Sequence, residues 1–496
     1  MSLRRTMLAG LSLCAIALVP KAGAAPATDA GARELQTMFE QYIGKPAAGL
    51  PPAIAVTPAG ESYRIVFDAK PLLSPLIPPG YTVAITPYEM TAEPAADGLW
   101  QVRSGNPGPI SVSGDALTYS IVFEGVAFQG TFDPKIKSFI LGETKMGSFK
   151  MSSRAKGFEN DRVDTDTQMT ITGAASGPGA VTAVVQQTTK TIRQVFRMGG
   201  VDANGSQTPG TEFSVVMGPI ESTATIDSLR NDALLDLWSF FIANWDKEKR
   251  KGKGEQMLAK FRAAMPLFNA VSQTAAIKSL TVGTPMGPAS ASDLGFGMDL
   301  TGVVPDGRVA MKFSFDKLTL PPAVTGAMMP PWSKGLVPTM AAFDVKVSRF
   351  NLAVAANEIL NNTKEGMPKA EIDALFKRAG MMIAPGGRVK VDIGPSRIKS
   401  DMLDVEFSGD IDVNIPIPKA NVVVRVKGFD ETVQALQPHI ANDPKLQQAM
   451  LGAIAAKGFG KALPDGRIEW VIAVDPSGKA TVNGFAVPIP MGKGKR

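Results

Sequence analysis

Leu403-Asp-Val-Glu-Phe-Ser-Gly-Asp-Ile-Asp-Val-Asn-Ile-Pro-Ile417 decides how the chain is read. Leu403, Val405, Phe407, Ile411, Val413, Ile415 and Ile417 share one parity, and Asp404, Glu406, Asp410 and Asp412 share the other. A period of two sustained over this length requires a long strand with one wet and one dry face. Arg388 and Lys390 precede it and Arg425 and Lys427 follow it, each interleaved with valines (Val389, Val391, Val422, Val424). Antiparallel neighbours would set those cations against the carboxylates, which explains the acids without a catalytic role.

The same texture extends outward. Ser62–Phe67, Tyr81–Ile85, Leu99–Arg103, Leu117–Phe123, Val126–Phe132 and Ile136–Leu141 are short segments rich in β-branched and aromatic residues. Gly, Pro, Asn and Asp separate them at meander spacing. Further strands are predicted at Gln168–Thr172, Ala180–Gln186 and Glu212–Met217, with one helix ahead of them at Gly31–Ile43. Past Asp227, Ser228 is positioned to cap a helix to Trp245, and a second helix is predicted over Glu255–Gln273, with the charged turn Asp246–Gly254 between them. Beyond this pair, strands at 309–320, 343–353, 388–393, 403–417, 422–426, 467–474 and 480–489 alternate with helices at 356–362, 369–379, 430–439 and 443–458. Pro305-Asp-Gly-Arg-Val309, Pro385-Gly-Gly-Arg-Val389 and Pro464-Asp-Gly-Arg-Ile468 form a weak repeat in which a turn opens a strand.

The expected fold is therefore α+β, mostly long antiparallel β-sheets in meander order, with helices concentrated in the second half. The expected organisation is a signal peptide (1–24), an N-terminal β-rich region (25–226), a C-terminal α+β region (227–490) holding the helical pair at 228–275, and a basic tail (491–496).

Arg4 and Arg5 precede an uncharged apolar stretch, Met7–Val19, and Ala22-Gly23-Ala24 supplies a small-x-small cleavage pattern. The stretch is shorter than the roughly 20 residues of a spanning helix. This predicts export to the periplasm, by the Sec route rather than the twin-arginine route, because Leu3 stands where Ser or Thr would precede the arginine pair. Cys14, the only cysteine, lies inside the signal after Leu13, so neither lipoprotein acylation nor any thiol in the mature chain is expected. The net charge of +6 is accounted for by Arg4, Arg5 and Lys21 at one end and Lys493, Lys495 and Arg496 at the other. A body of zero net charge gives no support for nucleic-acid binding.

No motif points to catalysis, a cofactor or a metal. His439 is the single histidine, and it has neither cysteine neighbours for zinc nor a Gly-x-Ser-x-Gly elbow to serve. Ser-x-x-Lys at Ser153, Ser314 and Ser396 falls in strand-like sequence, without the companion motifs of penicillin-binding enzymes. Asp410-x-Asp412-x-Asn414 begins like a calcium loop but has Ile415 in place of glycine and Asn421 in place of glutamate. The one candidate binding feature is the helical face Leu234, Trp238, Phe241 and Trp245, spaced by four, three and four and followed by a lysine-rich turn. Such a face suits a lipid or membrane surface. Broad apolar faces more commonly pack as ordinary core, and that reading stands beside it.

Pro464-Asp-Gly-Arg-Ile-Glu-Trp470 and Asp475-Pro-Ser-Gly-Lys-Ala-Thr-Val-Asn-Gly484 form a strand, a turn and a strand ending in Val-Asn-Gly. This segment resembles the C-terminus of the alphaproteobacterial envelope family catalogued as domain of unknown function 2125. The resemblance implies a periplasmic location and offers no catalytic residues. Three functions are consistent with the whole: non-enzymatic binding or carriage of an apolar, lipid-like ligand on a concave sheet, a carboxylate-based hydrolase of an envelope polymer, or a structural or interaction module whose protein partners the sequence does not identify.

Overall fold

The computed structural model describes residues 26–46, 48–74, 77–95, 97–199, 210–244, 251–384, 389–413 and 418–487. The signal, the basic tail, Trp245, the second turn of the repeat (385–388) and the end of the decisive strand (414–417) lie outside the described residues. The chain forms two compact units, Met1–Val271 with Ile359–Asp373, and Ser272–Glu358 with Ala374–Arg496. It is strand-rich, and every strand pairing described is antiparallel.

The first unit begins with the helix Asp29–Ile43, capped by the Thr28 hydroxyl, which accepts from the Gly31 amide at 3.1 Å. A Cβ at Gly31 would lie 2.2 Å from the Tyr63 hydroxyl, so a larger residue there must displace the tyrosine ring. Ala32, Leu35 and Phe39 bury one side of this helix against β1 (Ile54–Ala59), β2 (Ser62–Phe67), β4 (Tyr88–Pro94), β5 (Trp100–Ser104) and β8 (Ala127–Asp133). Ile65 and Phe132 are fully buried in this core, each worth about 1.5–3 kcal/mol of transfer free energy.

Three long strands dominate the rest of the unit: β9 (Ser138–Ala155), β10 (Phe158–Gly177) and β11 (Ala180–Met198). At about 3.3 Å per residue each is on the order of 60 Å long. Among the described residues no other strand of the unit is as long, and both edges of this ribbon fork. The first half of β9 pairs with β8 and its second half with β7 (Leu117–Glu124), which leads on to β6 (Ile110–Gly114) and β3 (Tyr81–Ile85). Asn106 holds the fork, donating to the Phe123 carbonyl at 2.6 Å and accepting from the Val126 amide at 3.2 Å. On the other edge β11 pairs with β12 (Thr211–Met217) and then with β13 (Ile220–Leu229). Gly218 lies at that junction, where a Cβ would meet the Lys190 carbonyl at 2.2 Å.

Two details of the helical pair differ from expectation. Ser228 is no cap. It lies in β13 at φ 52°, and the first helix runs Asn231–Ala243 without a side-chain cap. The second helix, Gly254–Ala264, stops nine residues early, before Met265-Pro266. Proline has no N–H to donate and forces its predecessor into extended backbone, and Met265 has ψ 143°. Residues from Ala270 then form β14 (Ala270–Thr284), a strand that replaces the predicted helix end.

In the second unit β15 (Gly287–Thr301), β16 (Gly307–Thr319), β17 (Met340–Phe350), β18 (Val389–Lys399), β19 (Asp404–Val413), β20 (Lys419–Lys427) and, past the two-residue β21 (Lys461–Ala462), β22 (Ile468–Val474) form a ladder in which each long strand pairs with the next. Among the described residues β16, β18 and β22 each begin at or within two residues of the end of a repeat motif. The decisive stretch is β19, central in this sheet. Its acids meet cations across the sheet: Arg397 binds Asp404 with a 2.7 Å bond from Nε, Arg467 binds Glu406, and Arg349 binds Asp412 at 3.1 Å. Arg425 stands opposite Glu406 but bonds Glu469 at 2.8 Å, and Lys390 bonds Asp392 at 2.5 Å.

Candidate functional site

The register of the second unit sorts its side chains into two faces. Phe296, Phe313 and Phe343 lie in one cross-strand row, as do Met298, Met311, Val345 and Ile393, and Val309, Val347, Val391 and Ile411. Phe407 and Val424 continue the apolar face toward Trp470. The opposite face carries Asp299, Lys312, Asp344, Lys346, Asp392, Asp410, Glu406 and Arg425.

Among the described residues the apolar face closes at one end. There Trp470 is buried, donates its indole N–H to the Ala456 carbonyl at 2.7 Å, and lies 5.8 Å from the Phe429 ring. The helix Pro444–Gly458 thus meets β22 at Trp470, and the adjoining Val426 is buried. At the other end Met311 is 53% exposed and Phe313 44%, and Phe296 and Phe343 are exposed beside them. Contiguous apolar surface of this kind is uncommon in a monomer and marks a binding surface.

The first unit repeats the design where the first half of β10 lies between the second halves of β9 and β11. Ile121, Met151, Arg162, Gln194 and Val215 form one row, flanked by Tyr119, Ser153, Asn160, Phe196 and Phe213 on one side and Phe123, Phe149, Asp164, Ile192 and Met217 on the other. The reverse face holds the ion pairs Lys150–Glu124 at 2.6 Å, Arg197–Glu212 at 3.0 Å and Arg154–Asp161 at 2.7 Å. Hydrogen bonds from Lys150 and Ser148 hold the Glu124 carboxyl below its ordinary range. Most side chains of the apolar face are half-buried, while Phe158 and Met198 at its rim are exposed.

The helical face singled out from sequence is divided among different surroundings. Leu234 is half-buried, while Leu235 and Leu237 supply the buried side of the helix. Trp238 is 43% exposed, with its indole N–H donating to the Tyr42 carbonyl at 2.7 Å. Phe241 packs edge-on against Phe261 at 6.1 Å and helps line a cavity of about 290 Å³ with Phe240, Met257, Leu258 and Thr363. Lys253 and Glu365 stand at the same cavity. Lys253 bonds Asn244 at 2.6 Å, and the Glu365 carboxylate accepts from the Gly252 and Gly254 amides at 3.0 and 3.3 Å. Glu365 therefore occupies the anion position at that helix start. The cavity lies at the low end of the range for small-molecule sites, roughly 300–1,000 Å³.

Ser153, Ser314 and Ser396 lie in strands, and His439 lies in the short 3₁₀ segment Gln437–Asn442. The sequence reading placed an apolar ligand on a sheet but named no residues of either apolar face. The signal that could have found them was the alternation in Val309–Leu318, where Met311, Phe313 and Phe315 share a parity without any helix of matching length to cover them. No helix among the described residues is long and apolar enough to cross a membrane. Searches against protein-family models, curated proteins and solved structures give no match to this chain.

Proposed function

We propose that this is a non-enzymatic protein of the bacterial periplasm that binds or carries an apolar, lipid-like ligand on its sheets. The observation that carries this reading is the open apolar face on β15–β17, where Phe296, Met311, Phe313 and Phe343 remain exposed in a row-by-row register, with Asp299, Lys312, Asp344 and Lys346 on the opposite face. Covering four such side chains with hydrocarbon supplies about 25 cal/mol for each Å² removed from water. An envelope location, read from the N-terminal signal, would put the protein beside membrane lipids. The carboxylates of β19 lie on the other face and bond Arg349, Arg397 and Arg467, which suits a solvated sheet surface better than an acid pair converging in a cleft.

Native mass spectrometry with lipid extraction, on protein purified from its own periplasm, tests the proposal. A stoichiometric co-purifying lipid is expected. A clean apo mass, together with no uptake of added lipid, would overturn it.

A further inference from the structure

The apolar face of the first unit differs from that of the second in one respect: a polar seam runs down its middle strand. Asn160, Arg162 and Asp164 occupy alternate positions of β10, and Gln194 of β11 lies opposite Arg162. Arg162 grips Asp164 with two bonds, 2.8 Å from Nε and 2.7 Å from Nη2, while its guanidinium carbon sits 5.9 Å from the Phe149 ring centre. Asp164 is 9% exposed. Gln194 donates to the Asn160 side-chain oxygen at 2.9 Å.

An ion pair whose carboxylate is desolvated in this way contributes little to stability, and apolar residues in its place are often neutral or better. Its chemistry is informative instead. The pair is neutral as a unit, so it offers no net charge to an anionic headgroup. The Arg162 Nη1 and the Asn160 side-chain amide have no acceptor among the described residues, so the seam presents N–H donors in an apolar surround. Donors of that kind complement an uncharged oxygen acceptor held between hydrocarbon arms.

We infer that this seam is the recognition site for the ester linkage of an uncharged acyl lipid, whose chains lie on the flanking apolar rows. This rests on the apolar-ligand reading above and adds the ligand's class. The intact protein would be incubated with dioleoylglycerol or with squalane, a hydrocarbon without an acceptor, and bound ligand measured by native mass spectrometry. Wild type should retain dioleoylglycerol about tenfold better than squalane, the worth of one or two hydrogen bonds. Arg162→Met with Asp164→Leu, which removes both charges together, should abolish that preference and leave squalane retention unchanged. Asn160→Leu, a smaller change, should weaken it in the same direction.

Equal retention of the two probes by wild type, or an undiminished preference in well-folded variants, would overturn the inference while leaving apolar binding intact. Stronger retention of dioleoyl phosphatidate than of dioleoylglycerol would overturn the uncharged-ester assignment. Retention of no probe by wild type would overturn the apolar-ligand reading itself.

Discussion

Phe343 and Phe407 belong to strands that do not touch, yet their ring centres lie 6.2 Å apart. The strand between them, β18, offers Ser396 opposite Phe407. Adjacent strands stand about 4.8 Å apart, so side chains two strands apart normally span nearly twice that. The short serine lets both rings lean inward. Its hydroxyl accepts from the Asp344 amide at 3.1 Å and donates to the Gly394 carbonyl at 3.1 Å, so the polar atom is satisfied beneath the rings. Aromatic rings therefore meet across three strands on the apolar face.

Phe313→Asp tests the use of that face. The side chain is 44% exposed, so its replacement should change unfolding free energy by less than about 1 kcal/mol. A carboxylate in the middle of the face should nonetheless weaken this face's hold on lipid at least about tenfold, so that lipid per protein falls by the share bound here, because burying an unpaired charge under hydrocarbon is costly. Lipid per protein, measured beside a thermal melt, separates the two effects. Undiminished lipid would exclude this end of the face as the contact surface.

The charged face predicts a pH dependence. Hydrogen bonding from Arg397 is the main reason the Asp404 carboxyl is held below its ordinary range, with burial opposing it and Lys399 and Arg467 assisting. A carboxyl with a depressed folded pKa contributes stability that is fully present above its unfolded value, about 3.9, and is lost as pH falls through the lower folded value. Asp404→Asn should therefore be less stable than wild type by a constant amount from pH 8 to about pH 5. The gap should narrow below about pH 4 and close in stronger acid. Urea titrations across that range report it.

Alternation was legible where apolar and charged residues interleave cleanly. The expected strand over Ser62–Phe67 has the bounds observed for β2, and Leu403–Ile417 led to β19 at the centre of its sheet. The longest strands were read only in part. Gly142-Glu-Thr-Lys-Met-Gly147 and Phe158-Glu-Asn-Asp-Arg162 carry the Gly, Asn and Asp that locally signal turns, yet they are interior to β9 and to the start of β10. Pairing on both edges overrides such local preference, and that pairing is not visible in one segment. Gly287–Thr301 was missed for a related reason, since its Gly, Ala, Ser and Asp dilute the period of β15. The helical face was legible as amphipathic, but not the separate surroundings that Trp238 and Phe241 find.

Gly409 should tolerate no side chain. A Cβ there would lie 2.2 Å from the Asn421 carbonyl and 2.7 Å from the Val422 Cα, both backbone atoms of β20. Gly409→Ala should cost more than about 2 kcal/mol, since the ladder between β19 and β20 must part to admit it. Denaturant unfolding measures the cost. A loss under about 0.5 kcal/mol would show that the two strands approach less closely than described.

Trp238 separates two roles for the helical face. Its indole N–H bonds the Tyr42 carbonyl at 2.7 Å, tying Asn231–Ala243 to the end of Asp29–Ile43, and 43% of the residue stays in solvent. Trp238→Phe keeps an aromatic surface and removes the bond, so it should cost about 0.5–1.5 kcal/mol and speed amide exchange at the end of the first helix. Lipid retention should not change, because the proposed contacts lie on the sheets. Trp238→Ala removes the surface as well. Retention that survives Phe but falls with Ala would bring this helix face into the binding surface, and retention that survives both confines the tryptophan to joining two helices.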